Sequence, residues 1–365
     1  MTTVVAIGTR KGLWTATSDD GSGWQLSDPK FLMQEVPSLA FDASGGGTNQ
    51  PRLLAGVMSW HWGPTVAVSE DLGETFTETE EAAVRFPEGT DTALARIWQL
   101  YPDPHRPGTV WAGCEPTSLF RSDDGGKTFA LVQGLWDHPH RPEWGPGFGG
   151  AAVHSVLPHP TTDGSVAVAM STGGVYVTSD DGATWSPSNT GISAYFMPDP
   201  NPEFGQCVHK IARDAEDPDV LYAQNHHGVY RSDDSGRTWT SIAGGLPSDF
   251  GFVMLAHPRR GGTIWVVPLV ADRERIPPGG RLAVHRSEDG GRSWKQVDAG
   301  LPERCFASVL RDAAGVVDNG DGAPAGLVLG TRDGRVFASA DEGESFTLVA
   351  DGLPDVLCVR AVALS

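Results

Sequence analysis

Eleven histidines are spread over 365 residues, and seven of them stand in segments whose neighbours are unusually polar or aromatic. His226 and His227 close the run Gln224-Asn225-His226-His227; His61 lies in MSWHWGP, and His138 and His140 in GLWDHPHRPEWGPGFGG. His154 and His209 occupy matching places in AAVHSV and QCVHKI, and Glu115 sits in CEPTS. Imidazole titrates near neutrality, so this set could supply a general acid and a general base. Several imidazoles with a carboxylate are also the ligand set of one divalent transition metal, Zn, Mn or Fe. A third reading has each histidine bonding loop carbonyls and water, with no shared centre. There is no short ligand-spacing motif, so a common site requires a fold that collects distant segments.

A repeat supplies that fold. The pattern Ser/Thr-x-Asp-x-Gly-x-Thr/Ser-aromatic recurs as SEDLGETF (69–76), SDDGGKTF (122–129), TSDDGATW (178–185), SDDSGRTW (232–239), SEDGGRSW (287–294) and SADEGESF (339–346). A weaker copy, TSDDGSGW (17–24), has Gly23 in place of the hydroxyl residue. The aspartates Asp19, Asp71, Asp124, Asp180, Asp234, Asp289 and Asp341 follow one another every 52 to 56 residues. Self-similarity at this period signals radial or solenoid repetition. In each copy the Asp and Ser/Thr oxygens accept turn N–H groups, the Gly adopts a backbone conformation costly for other residues, and the aromatic packs inward. Segments such as CVHKIARD, VLYAQ, GVYRSDD and TWTSIAG give four strands per repeat, A to D from the axis outward, with the box in the C–D turn. The 46 glycines and 27 prolines fit short strands and tight turns.

Seven such repeats predict an all-β, seven-bladed β-propeller filling residues 1–365 as a single domain. The chain begins with a B-type strand (4–9) and ends with an A-type strand (358–365), so the last strand is expected to complete the first blade and close the ring.

These boxes resemble the Asp-box (BNR) repeats of sialidases, of sortilin-type receptors and of some glycoside hydrolases. The resemblance spans the chain and implies the propeller. It implies little about activity, because Asp boxes in that superfamily sit away from the catalytic face. Sialidases of this type use three arginines, a tyrosine nucleophile paired with a glutamate, an aspartate acid and an Arg-Ile-Pro motif ahead of the first box. Here Arg10, Arg96 and Arg360 are placed to approach the channel, Tyr195 is the tyrosine expected at the top, and Arg275-Ile276-Pro277 occurs in blade six. That position departs from the family, which puts sialidase activity in doubt.

Strand order then sorts the candidates. In a meander the A–B and C–D turns share one end, here the bottom, which takes His105, His159 and His257; His285 falls in a C strand. The B–C and D–A loops share the top, where Glu115, His61, His154, His209 and the His226/His227 pair are expected to face one side of the channel mouth. Neighbours along a strand point opposite ways, so one of the pair should reach the centre, and His226 is favoured. The expected roles are Glu115, His154 and His209 in catalysis; His154, His209 and His226 as metal ligands; and His61, Trp62, Arg141, Trp144 and Gln224 against substrate. The insertion carrying Trp136, Arg141, Trp144 and Phe148 suits a pocket wall or lid.

The leading functional expectation is a hydrolase or lyase acting on a small polar or sugar-like substrate. A sialidase-like or other glycoside hydrolase and a non-catalytic binding or assembly module are its rivals. A net charge of −19 argues against nucleic acid, and the absence of an 18-residue apolar run argues against a membrane span. The four cysteines form no CxxC pair and the start lacks a secretory pattern, so reduced thiols and a cytoplasmic protein are expected.

Overall fold

Seven antiparallel sheets of four strands follow one another along the chain, in a computed structural model that describes residues 1–43, 50–78, 81–147 and 149–364. They form a seven-bladed β-propeller. Blade five shows the plan: strand A is Val208–Arg213, B is Leu221–Asn225, C is Val229–Ser232 and D is Thr240–Ser241. The B strands read as unbroken apolar runs, VAVAM in blade four and GLVLG in blade seven, and every residue of both is buried. Each blade is covered on both faces by its neighbours, which removes the usual inside–outside alternation. The outer D strands are mostly two residues long and exposed, as in Gln25–Leu26 and Thr240–Ser241. Short edges of this kind leave little backbone for another sheet to pair with. No helix among the described residues is long and apolar enough to cross a membrane.

The ring closes as the sequence predicts. Val356–Leu364 pairs antiparallel with Thr2–Thr9 and supplies the innermost strand of blade one.

The Asp boxes lie at the C–D turns. In blade five, Asp234 Oδ1 accepts the Ser232 hydroxyl at 2.8 Å and the Thr238 N–H at 2.9 Å, while Oδ2 accepts the Thr238 hydroxyl at 2.7 Å. Ser232 Oγ in turn accepts the N–H of Gly236 at 2.8 Å. Gly236 has φ +90°, which a side chain would strain. Blade one departs from the expectation: Asp20, not Asp19, organises its turn, accepting the N–H and hydroxyl of Ser22 at 2.8 Å each. Gly23 offers Asp19 no hydroxyl, so the box slips by one residue and Asp19 takes the Thr2 hydroxyl instead.

These bonds favour the carboxylate. Hydrogen bonds from the box hydroxyl and N–H hold Asp180 and Asp289 at a pKa of about 2, and Asp71 below its ordinary value for the same reason. A depressed folded-state pKa adds stability above the unfolded value and loses it as pH falls through the folded one. The melting temperature is therefore expected to fall between about pH 4 and about pH 2 as the boxes protonate. Calorimetric scans across that range check this, and a flat melting temperature would contradict it.

The A strands share a feature that the sequence hides. Where each meets the top, blades one, three, four, five and six interrupt the ladder with a bulge. The extra residues are Leu357, Trp98, His154 and His209, and in blade six Phe252 and Val253 opposite Val267. A bulge re-aims the side chain it inserts.

Candidate functional site

Four of those bulge residues, Trp98, His209, Phe252 and Leu357, line one cavity of about 590 Å³ at the top of the axis. That volume suits a monosaccharide-sized ligand. The remaining walls come from loops: Arg10 and Arg332 from the B–C loops of blades one and seven, Asp272 and Arg275 from that of blade six, Phe196 from the loop before blade five, and Arg311 just ahead of the A strand of blade seven.

Five arginines (Arg10, Arg96, Arg275, Arg311 and Arg332) face this space against three carboxylates, Glu35, Asp272 and Asp312. In a chain of net charge −19 this is a local inversion of sign. Glu35 is held between Arg10 at 3.1 Å and Arg96 at 2.8 Å. Arg332 is committed to Asp355 at 2.6 Å. Asp312 Oδ1 accepts from Lys210 Nζ at 2.8 Å and Arg360 at 2.5 Å. Burial pulls the Asp312 carboxyl up, and these two cations more than offset it, leaving the pKa lowered.

Arg311 differs from Arg10, Arg96 and Arg332. Among the described residues no carboxylate lies within 4 Å of its guanidinium, and its buried Nε has no hydrogen-bond partner. Its plane rests over the bulge aromatics, 5.1 Å from the Trp98 ring centre and 5.5 Å from that of Phe252. Arg96 stands over Trp98 and Arg275 over Phe252 in the same manner. Aromatic faces hold a guanidinium without neutralising it. Burial lowers the pKa of Arg311, though the group stays charged.

Beside these arginines stand Cys207, His209 and His226, whose donor atoms all lie within 4.8 Å of one another. Cys207 and His209 flank the start of strand A, and the His226 N–H donates to the Cys207 carbonyl at 2.9 Å. His209 Nδ1 donates to the Gly251 carbonyl at 2.6 Å; a carbonyl only accepts, so Nε2 carries the free lone pair. Burial drives the His209 pKa well down, helped by the Arg311 charge, and burial with the His227 charge lowers that of His226. Burial raises the Cys207 thiol, opposed by a bond from the Thr172 N–H and by the Arg311 and Arg275 charges. His226 Nε2 also lies 3.7 Å from Asp272.

The structure distributes the sequence candidates unevenly. His209 and His226 come together at the cavity, whereas His154 does not join them. It is fully buried, lines no part of the cavity, and neither ring nitrogen has a partner. Glu115 accepts the Trp98 indole N–H at 2.9 Å and so backs the cavity wall without lining it. His61 and Trp62 pack edge-to-face on the exposed B–C loop of blade two, away from the cavity. Arg141 stacks 3.8 Å over Trp136, and Trp144 is buried with its indole N–H on the Tyr176 hydroxyl. Both serve the packing of the insertion, of which Phe148 lies outside the described residues. Buried Gln224 donates to the carbonyls of Asn225 and Asp249 and ties blade five to blade six. Arg10 and Arg96 reach the cavity; Arg360 reaches it only through Asp312, and Tyr195 is exposed beside His227. Sequence reasoning passed over Cys207, Trp98, Phe252, Asp272 and Arg311. The CxH spacing of Cys207 and His209 was the one available signal.

No family model matches the chain. It is 26% identical over 243 residues to an oligoxyloglucan-reducing end-specific xyloglucanase of Emericella nidulans, covering 54% of this chain and 27% of that one. It is 31% identical over 93 residues to the vacuolar protein sorting/targeting protein 10 of Fusarium vanettenii, covering 25% of this chain and 5% of that one. The chain thus spans about a quarter and a twentieth of these relatives. Among solved structures, an ancestral GH74 enzyme superposes with a TM-score of 0.58 at 16% identity, over 89% of this chain and 38% of that one. YCF48 bound to a D1 peptide superposes with a TM-score of 0.53 at 14% identity, over 92% and 86%. These likenesses show a shared propeller.

Proposed function

We propose that the protein is a hydrolase or lyase acting on a small, sugar-like substrate that carries an anionic group, bound in the cavity at the top of the axis. The observation that carries this reading is Arg311: a part-buried guanidinium whose Nε is sealed from solvent and which, among the described residues, has no carboxylate within 4 Å, in a cavity with five arginines and three carboxylates. A substrate carboxylate meeting it gains a charge-assisted, bidentate partner. Trp98, Phe250 and Phe252 offer apolar faces to the rest of a sugar ring. Cys207, His209 and His226 line the same cavity, beside the space such a substrate would occupy. The xyloglucanase relative, named for action on a carbohydrate, supports glycoside hydrolysis as the form of the reaction. The YCF48 likeness, which extends over nearly the whole of both chains, supports the rival reading of a binding module.

Binding and turnover assays with a matched panel separate these readings. Uronic acids and their glycosides are expected to bind and neutral counterparts to bind poorly, with turnover of at least one glycoside. Arg311→Met should weaken uronate binding about 10- to 100-fold, the worth of one charge-assisted hydrogen bond. Equal binding of neutral and acidic sugars, or no effect of Arg311→Met, would overturn the substrate class. Binding without turnover of any glycoside would favour the binding module.

A further inference from the structure

We infer that Cys207, His209 and His226 form a binding site for one transition-metal ion, with zinc the best match to the donors. Three donor atoms from two segments already lie within 4.8 Å of one another, so an ion can be held with little rearrangement. One thiolate and two imidazoles are a borderline-to-soft set, which suits zinc and disfavours magnesium or calcium. The site is also braced. The His226 N–H on the Cys207 carbonyl fixes the two segments together, and the Gly251 carbonyl fixes the His209 ring so that Nε2 is the free donor. Outer contacts of this kind orient metal ligands. Asp272, 3.7 Å from His226 Nε2, adds a carboxylate to the surroundings.

Two features shape what the ion would do. Arg275 and Arg311 stand close enough to Cys207 to act on its charge, and they oppose a cation. The thiolate formed on binding offsets them, so metal uptake releases a proton. Among the described residues three protein donors converge, and the cavity occupies the remaining side. That is the arrangement of a catalytic metal with an open position, rather than of a closed structural one. The bulge in strand A explains how the trio arises: His209 is the inserted residue, turned towards the mouth beside Cys207.

This site is independent of the proposed substrate, and metal uptake is measured without one. The full chain, purified without an affinity tag and stripped with a chelator, is titrated with Zn²⁺ and separately with Co²⁺. One equivalent of either is expected per chain, with a thiolate-to-cobalt charge-transfer band. Cys207→Ser should abolish that band. Cys207→Ser and His226→Ala should each weaken Zn²⁺ binding by at least ~100-fold, since even outer-shell changes cost 10- to 100-fold. His61→Ala, on the exposed B–C loop of blade two and away from the trio, should change neither. Absence of Zn²⁺ uptake by the wild-type chain, or a cobalt spectrum without the thiolate band, overturns the inference. Unchanged affinity in a folded Cys207→Ser variant does the same. The wild-type spectrum decides the matter even if a variant fails to fold.

Discussion

Deleting residues 358–365 is expected to abolish the cooperative folded state. The lost segment is most of the strand Val356–Leu364, which pairs with Thr2–Thr9 from Thr2↔Leu364 to Gly8↔Cys358. Cys358 and Val359 are fully buried, and the Cys358 thiol packs on the Val36 carbonyl of blade two. Removing them forfeits roughly 1.5–3 kcal/mol for each large apolar side chain and about 1 kcal/mol for each backbone hydrogen bond. The loss also exposes Thr2–Thr9 as an unpaired inner edge and takes away Arg360, a partner of Asp312. Set against a total stability of about 5–15 kcal/mol, the sum is comparable to the whole. Melting followed by circular dichroism, with size-exclusion chromatography, checks this. A truncated chain that melts cooperatively within a few degrees of the full one would show that the ring does not depend on its closing strand.

That closure was legible in the sequence because it follows from counting. Each Asp box is local: the Asp, the hydroxyl residues and the Gly that make the turn lie within seven residues, so spacing alone reveals the blades and the odd strand at each end. The site was legible only to the level of a face. His209 and His226 were placed at the top by strand order, but whether a top-face residue points into the cavity depends on the bulges. A bulge is set by packing between blades and leaves no pattern in one strand. His154 and His209 occupy the same bulge position in adjacent blades, yet one is sealed in the core and the other lines the cavity. Trp144 misled for a related reason. Its loop looks like a lid, but its indole meets Tyr176 from blade four and is absorbed into the core. Arg311 was invisible because nothing about an Arg-Asp pair in sequence says that the Asp is already taken by Lys210 and Arg360.

That shared aspartate carries the second large effect. Asp312→Ala is expected to cost about 3–5 kcal/mol in urea unfolding, the loss typical when one partner of a buried pair is removed. The Asp312 side chain is 4% exposed and that of Lys210 11% exposed, so water cannot replace the missing partner. Three blades meet at this carboxylate: Lys210 belongs to strand A of blade five, Asp312 precedes strand A of blade seven, and Arg360 lies on the closing strand of blade one. Removing the Asp312 carboxylate leaves Lys210 without its anion and leaves Arg360 only the backbone carbonyls of residue 312 and Val359 to donate to. Lys210→Met should cost less, because Asp312 keeps Arg360 at 2.5 Å and loses only one of two partners. The two changes share one carboxylate, so in a double-mutant cycle they should be strongly non-additive, with Lys210→Met recovering part of the Asp312→Ala loss. Additive effects, or an Asp312→Ala cost under about 1 kcal/mol, which is the worth of an exposed ion pair, would mean that solvent reaches the triad. The ordering distinguishes a charge needed for its own sake from one needed to neutralise its neighbours. Here the lysine and arginine require the aspartate more than the fold requires either of them alone.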